Sequence, residues 1–264
     1  MNIKLHSHYH HFPNHVPVNG EKYVECYNDS FIISETPKDW KNSIALLIEP
    51  RPLQPKVYDF IEKNYSKFRY VFTHDSILLN KLPNAKLIIW GGIYDWCNEP
   101  KDFTHPISMV ASWKEQAPVR IQRKKLALEL KGKIDTYGTF DGGERATTKQ
   151  IYGKYPFSVV IENHIDDWWL TEKICNCFAC KTIPIYYGAR KVNHLFNSDG
   201  IVICNSIDEV RTAVNFLLTH AKQEYYLRFG AVEKNYKTVA DYESFEDWFY
   251  EHYGNLLKKM GDNV

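Results

Sequence analysis

Residues 155–190 contain the side chains best suited to binding chemistry. An apolar run typical of a buried strand ends at Glu162 and Asn163, and a short loop leads to Thr171 at a predicted helix N-cap. The start of a helix offers free backbone N–H groups and a positive dipole end, and Lys173 adds a full charge there. The segment therefore predicts a phosphate or diphosphate site. A capped helix whose charged residues are merely solvated fits the same pattern.

Two tryptophans, Trp168 and Trp169, lie in the loop before this helix. Their flat, largely apolar rings could flank a nucleobase or a sugar ring. With the cationic helix start, they favour a pocket for a nucleotide sugar.

The elements around this segment alternate between strand and helix. Apolar runs such as 44–48 and 157–161 are typical of strands buried on both faces, and Ser206 with Glu209 forms a capping box that opens a helix. Such alternation predicts parallel sheets with right-handed crossovers and ligands at the carboxyl ends of the strands. About nine candidate strands favour two Rossmann-like halves, with a cleft between them, over one wide sheet.

We place the domain boundary where Pro106 and Pro118 bracket a change in pattern. The prediction is an N-terminal Rossmann-like domain over residues 1–110 and a C-terminal nucleotide-sugar-binding domain over 111–264. Residues 241–256 are rich in aromatic side chains, and we expect a closing helix there that packs back on the first domain.

Composition excludes several other classes of protein. The 264 residues include 33 Lys plus Arg and 32 Asp plus Glu, so the net charge of +1 argues against binding nucleic acid through a broad basic face. No apolar run approaches the roughly 20 residues that span a bilayer, and the N-terminus lacks the apolar core of a signal peptide. We therefore expect a cytoplasmic protein without a transmembrane segment, whose six cysteines are reduced thiols.

The spaced motifs of the central segment resemble a known signature. They read Tyr155-Pro-Phe-Ser-Val-Val-Ile-Glu162-Asn163 and, after a loop, Trp169-Leu-Thr171-Glu172-Lys173. This order resembles the signature of the α-1,3-fucosyltransferases, glycosyltransferase family 10, which has Tyr-Lys-Phe, an apolar strand, Phe-Glu-Asn, a loop and Tyr-(Ile or Val)-Thr-Glu-Lys. The resemblance implies a GT-B fold of two Rossmann-like domains and an inverting transfer from GDP-fucose without a metal cofactor. The acceptor it implies is a glycan, and the domain that it implies would bind this acceptor is the N-terminal one, residues 1–110.

The resemblance also implies roles for individual residues. Donor-binding candidates at the matching positions are Asn163, Trp169, Thr171, Glu172 and Lys173, with Trp169 standing where the signature has tyrosine. Another GDP-sugar therefore stays open as the donor.

A further arginine of the family neutralises the leaving diphosphate. The residues next to Arg120 resemble those next to the family's arginine, whereas Arg123 has the better spacing to the leucine that follows. Both are candidates, and Arg120 is favoured. The family's base is a glutamate after a strand in the N-terminal half, which points to Glu49 as the group that deprotonates the acceptor hydroxyl. A surface glutamate at a turn before Pro50 fits this position equally well.

Two alternative functions stay open. His6 and His8 form a His-X-His motif after a short apolar run, with His10 close behind, as in amidohydrolase-like metal-dependent hydrolases. In a transferase, these histidines would line the acceptor side. The other alternative is a non-catalytic sugar-binding protein on a decayed transferase fold.

Overall fold

The computed structural model describes residues 2–6 and 23–261. Within these ranges the chain forms ten β-strands and seven α-helices. The strands are β1 (Asn2–His6), β2 (Tyr23–Asn28), β3 (Ser43–Leu47), β4 (Tyr70–Thr73), β5 (Ala85–Leu87), β6 (Ile107–Val110), β7 (Asp135–Tyr137), β8 (Phe157–Ile161), β9 (Ile183–Tyr187) and β10 (Val202–Ile203). The helices are α1 (Phe31–Ser34), α2 (Pro55–Asn64), α3 (Ser76–Lys81), α4 (Pro118–Leu130), α5 (Glu172–Ala179), α6 (Ile207–Thr238) and α7 (Phe245–Gly261).

The first compact unit comprises the described residues up to Trp90 and those from Ser244 onward. Its five strands pair in parallel in the order β1-β2-β3-β4-β5. Strand β3 is buried along its whole length, which explains its continuous apolar sequence. Helix α2 packs Val57 and Ile61 into the core beside it.

Strand β2 was not among the strands predicted from sequence. Its apolar pattern is interrupted by Glu25, a charged residue that nonetheless lies buried in the sheet. The carboxylate accepts a hydrogen bond from the backbone N–H of Lys38 at 3.2 Å. A buried carboxylate that accepts a backbone hydrogen bond is compatible with a strand. A search for runs of apolar residues, however, does not detect a strand that contains one.

Helix α7 belongs to the first unit and extends from Phe245 to Gly261. The ring of Phe249 lies 4.9 Å from that of Phe72 in β4, and the ring of Tyr253 lies at the same distance from Phe72. Edge-to-face aromatic contacts of this kind add to the apolar area that the helix buries.

The second compact unit comprises Gly91–Glu243. Its strands pair in parallel in the order β10-β9-β8-β6-β7. The chain leaves β6 toward β7 on one side and then returns to β8 on the other. The direction of winding thus reverses between β6 and β8, where open α/β sheets form a crevice at the carboxyl ends of their strands.

Packing divides the chain after Trp90, about 20 residues before the predicted boundary at 110/111. The irregular segment 91–106 belongs to the second unit because that unit satisfies its polar groups. The Cys97 N–H donates to Ala179 O at 3.2 Å, and Lys101 Nζ donates to Cys180 O at 2.6 Å and Thr182 Oγ1 at 2.9 Å. Sequence patterns locate regular elements but do not show where a loop of this kind packs.

The aromatic contacts of α7 predict that it stabilises the first unit. Phe249 is fully buried, so Phe249→Ala should lower the free energy of unfolding by about 3–5 kcal/mol, measured by urea denaturation. Glu251→Ala, at an exposed position on the same helix, should change it by less than about 0.5 kcal/mol. Equal effects of the two changes would show that the helix is not packed as described.

Candidate functional site

A cavity of about 420 Å³ lies within the second unit. Val110 and Ala111 at the end of β6 line it, as does Asn163 just after β8. The cavity therefore lies at the carboxyl ends of the two strands between which the sheet reverses, where this class of sheet binds its ligands.

The cavity wall is strongly cationic. Of the residues that line it, Glu172 alone is acidic and five are basic, namely Lys114, Arg120, Arg123, Arg145 and Lys173. Cations drawn from several elements can surround a single ligand. The balance of charge favours a ligand with more than one negative charge, such as a diphosphate.

Lys173 is held by a network at the start of α5. Its Nζ donates to Thr171 Oγ1 at 2.8 Å and lies 3.2 Å from Glu172 Oε1 and 3.5 Å from Glu162 Oε2. Thr171 is the N-cap, and it donates to Glu162 through its backbone N–H at 2.9 Å and its hydroxyl at 2.8 Å. The buried Glu162 thus fixes the cap, and the cap fixes the lysine.

The charges of this network depend on one another. Burial raises the pKa of Glu162 above its ordinary value although Lys173 lies close to it. Burial opposes the charge of Lys173 as well, but the neighbouring Glu172 and Glu162 outweigh it and raise the pKa of the ammonium group. Burial also opposes ionisation of Glu172, and Lys173 outweighs that effect and lowers its pKa. Lys173 therefore stays charged where it meets the cavity.

Both arginine candidates of helix α4 line the cavity. Arg123 is buried and donates from Nη1 to the Ile161 carbonyl at 2.8 Å, which ties α4 to the end of β8. Arg120 is half-buried and donates from Nη1 to Gln116 at 2.9 Å. The Nε atom of each arginine is buried without a hydrogen-bond partner among the described residues, so both guanidinium groups retain donor capacity.

The remaining donor-binding candidates fall into two groups. Asn163, Glu172 and Lys173 line the cavity. Thr171 and Trp169 are buried and do not line it. Thr171 supports the cavity through Lys173.

Sequence reasoning missed several residues of the cavity wall. Lys114 follows β6 as Asn163 follows β8, so its position just after a strand was a usable signal. Arg145 lies in the loop after β7, and Tyr152 lies in a single turn of π-helix, Lys149–Gly153, before β8. No motif marks either of these residues.

Glu49 lies in the first unit, half-buried just after β3. The loop that carries it is held by Asp29, whose Oδ1 accepts from the backbone N–H groups of Ile48 at 2.9 Å and Glu49 at 3.2 Å. Tyr58 adds a hydrogen bond from its hydroxyl to the Glu49 carbonyl at 3.0 Å. Asp29 has a left-handed backbone with φ of 45°, a conformation that aspartate and asparagine adopt more readily than most residues.

The histidine candidates are only partly described. His6 ends β1, and His8 and His10 lie outside the described residues. In the part of the chain that the structure describes, no three His, Cys, Asp or Glu side chains are grouped so that they could hold a metal ion. Likewise, no helix in the described part of the chain is long and apolar enough to cross a membrane.

Residues 101–263 match the sequence profile of the C-terminal domain of glycosyltransferase family 10 (fucosyltransferase). The match covers more than half of the chain, and the chain belongs to this family and is a glycosyltransferase. No curated protein sequence is significantly similar to it.

Solved structures of glycosyltransferases share the fold. TarM is similar with a TM-score of 0.56 and 14% identity, over 89% of this chain and 54% of TarM. The pneumococcal O-GlcNAc transferase GtfA, in complex with UDP and GlcNAc, has a TM-score of 0.55 and 13% identity, over 91% of this chain and 57% of GtfA. An α1,3-fucosyltransferase with GDP has a TM-score of 0.49 and 16% identity, over 92% of this chain and 76% of that enzyme's chain. The two parallel sheets, together with the likeness to TarM and GtfA, identify a GT-B-like fold.

Asp29 predicts a pH dependence of stability. Burial, with a smaller contribution from Glu49, raises the pKa of Asp29 from 3.8 to about 7 against the effect of its backbone hydrogen bonds. The folded protein then holds this proton more tightly than the unfolded chain, so its contribution to stability falls as pH rises from about 4 to about 7.

Asp29→Asn removes this titration but keeps a side-chain oxygen for the loop. We expect the wild type to lose stability relative to this variant by up to about 1.4 kcal/mol per pH unit between pH 5 and 7, measured by urea denaturation. Parallel pH profiles for the two proteins would contradict the prediction. Asp29→Ala, which also loses the backbone hydrogen bonds, should be less stable than Asp29→Asn throughout this pH range.

Proposed function

We propose that this glycosyltransferase is an inverting, metal-independent enzyme that transfers fucose from GDP-fucose to a hydroxyl group of a glycan. The single observation that carries the proposal is the cationic cavity at the point where the sheet of the second unit reverses. Membership of the family supports the choice of donor. Protein cations can stabilise the departing diphosphate in the way that a divalent metal ion does in other transferases.

The second unit would bind the donor. Arg120, Arg123 and Lys173 would contact the diphosphate, because their positive groups meet on the cavity wall. Asn163 and Glu172 would contact neutral polar groups of the nucleotide sugar. Thr171 and the buried Trp169 would hold the start of α5 in place, and Trp169 would do so in place of the family's tyrosine.

The first unit would bind the acceptor. Glu49 would accept the proton of the acceptor hydroxyl while the hydroxyl oxygen attacks the anomeric carbon of the donor sugar. The bond from that carbon to the diphosphate would break on the opposite face. The electron pair of that bond leaves with GDP. His6, His8 and His10 are acceptor-side candidates in the same half of the chain.

Lys173→Ala tests the placement of the diphosphate. Loss of a charge-assisted contact should weaken GDP binding about 10- to 100-fold, measured by isothermal titration calorimetry. Lys222→Ala, an exposed lysine on α6, is the matched control and should bind GDP like the wild type. Unchanged GDP affinity in Lys173→Ala would remove this residue from the site.

The rise in the melting temperature of the wild type with GDP should exceed that with UDP or CMP and should persist in EDTA.

Glu49→Gln tests catalysis separately from binding. Loss of the base should lower fucose transfer to a glycan acceptor about 10²- to 10⁴-fold, measured as GDP released from GDP-fucose. GDP affinity should be unchanged, since Glu49 lies in the first unit and the cavity in the second. A variant with full activity would exclude Glu49 as the base.

A wild type that binds GDP-fucose but transfers nothing across a wide acceptor panel would favour a non-catalytic sugar-binding protein.

A further inference from the structure

The turn between strand β3 and helix α2 carries Glu49 and is closed by a backbone hydrogen bond. The carbonyl of Pro50 accepts from the N–H of Leu53 at 2.8 Å. Pro50 and Pro52 also restrict the backbone on both sides of Arg51, because proline fixes its own φ and limits the residue before it. The side chain of Arg51 therefore extends from a turn with little conformational freedom.

Arg51 ties this turn to the end of strand β4. Its Nε and Nη2 atoms each donate to the carboxylate of Asp75 at 3.1 Å, and two parallel bonds of this kind fix orientation as well as distance. Asp75 is itself buried and held, because its N–H donates to Thr73 Oγ1 at 3.0 Å and its Oδ1 accepts from the Leu78 N–H at 2.8 Å. The guanidinium group is thus bound to a fixed point beside the strand that pairs with β3.

The same guanidinium group contacts helix α2. Its Nη1 atom donates to Glu62 Oε1 at 2.7 Å, and the group lies 4.7 Å from the centre of the Tyr58 ring, one helical turn earlier. The hydroxyl of that tyrosine donates to the Glu49 carbonyl at 3.0 Å. Arg51 therefore links the turn to β4 and to α2, and it contacts the tyrosine that binds the backbone of Glu49.

We propose that Arg51 is a positioning residue that holds Glu49 in place to take the proton of the acceptor hydroxyl. This inference rests on the proposed function, because it requires Glu49 to be the base. A general base must lie within hydrogen-bond reach of the proton that it removes, and a displacement of about 1 Å can lower a rate about 10²-fold. Lysine carries the same charge but cannot form the paired contact with Asp75, so Arg51→Lys loosens the turn and keeps the charge.

Steady-state kinetics of fucose transfer test the proposal, with the rate measured as GDP released from GDP-fucose. Arg51→Lys should lower kcat about 10-fold and Arg51→Ala about 10- to 100-fold. The KM for GDP-fucose should be unchanged, since Arg51 lies in the first unit and the cavity in the second. Lys81→Ala is the matched control, because Lys81 pairs with the same Glu62 at 2.6 Å but lies on α3, outside the turn. This control should keep the kcat of the wild type.

A double-mutant cycle separates positioning from a general structural role, with melting curves to establish that each variant is folded. If Arg51 acts through Glu49, adding Arg51→Lys to Glu49→Gln should change the residual rate by less than about twofold. A purely structural role would lower the rate by the same factor with and without Glu49, and equal factors would overturn the proposal.

Failure of this inference can be distinguished from failure of the proposed function. A wild type that transfers no fucose would overturn the proposed function, and Glu49→Gln with wild-type activity would overturn the assignment of the base; the inference falls in both cases. A Glu49→Gln variant that has lost activity, together with an Arg51→Lys variant that has kept the wild-type kcat, would overturn the inference alone.

Discussion

The candidate site depends on the burial of one carboxylate, that of Glu162. It is fully excluded from solvent at the end of β8, and both of its oxygens accept hydrogen bonds from Thr171. A buried carboxylate is costly without partners, so the geometry of the N-cap follows from it. Lys173 then contributes the compensating charge and is carried to the cavity wall. The position of the start of α5 is therefore a consequence of satisfying Glu162.

The same strand end also fixes the cations of helix α4. Arg123 donates to the carbonyl of Ile161, the last residue of β8 and the neighbour of Glu162. Two helices are thus tied to adjacent residues at the end of one strand, and positive groups of both helices line the same cavity. Rigid strands and helices hold such a set of charges more accurately than loops would, which suits a site that must stabilise developing charge.

Much of this arrangement could be predicted from sequence, and the reasons for the failures are physical. Strands β3 and β8 are continuous apolar runs, and Lys173 follows a recognisable N-cap, so local signals suffice for them. Strand β2 was not predicted because its apolar pattern is interrupted by Glu25, which is buried with a backbone hydrogen-bond partner. Tyr152 lies in a π-helical turn that has no periodic pattern. Its place in the cavity depends on hydrogen bonds to this turn from Ser108 in β6 and from Thr182 just before β9, which are distant in sequence.

The charge of the cavity also bears on how a transferase of this kind would gain rate. Only interactions that strengthen on the way to the transition state accelerate a reaction. As the glycosidic bond of a nucleotide sugar breaks, its diphosphate gains negative charge, so five cations opposed only by Glu172 on the cavity wall would interact more strongly with the leaving group than with the intact donor. The same excess would hold the product tightly after transfer. Of these cations, Arg145 is exposed and Arg120 is half-buried, so solvent screens their charges more than it screens that of the buried Arg123.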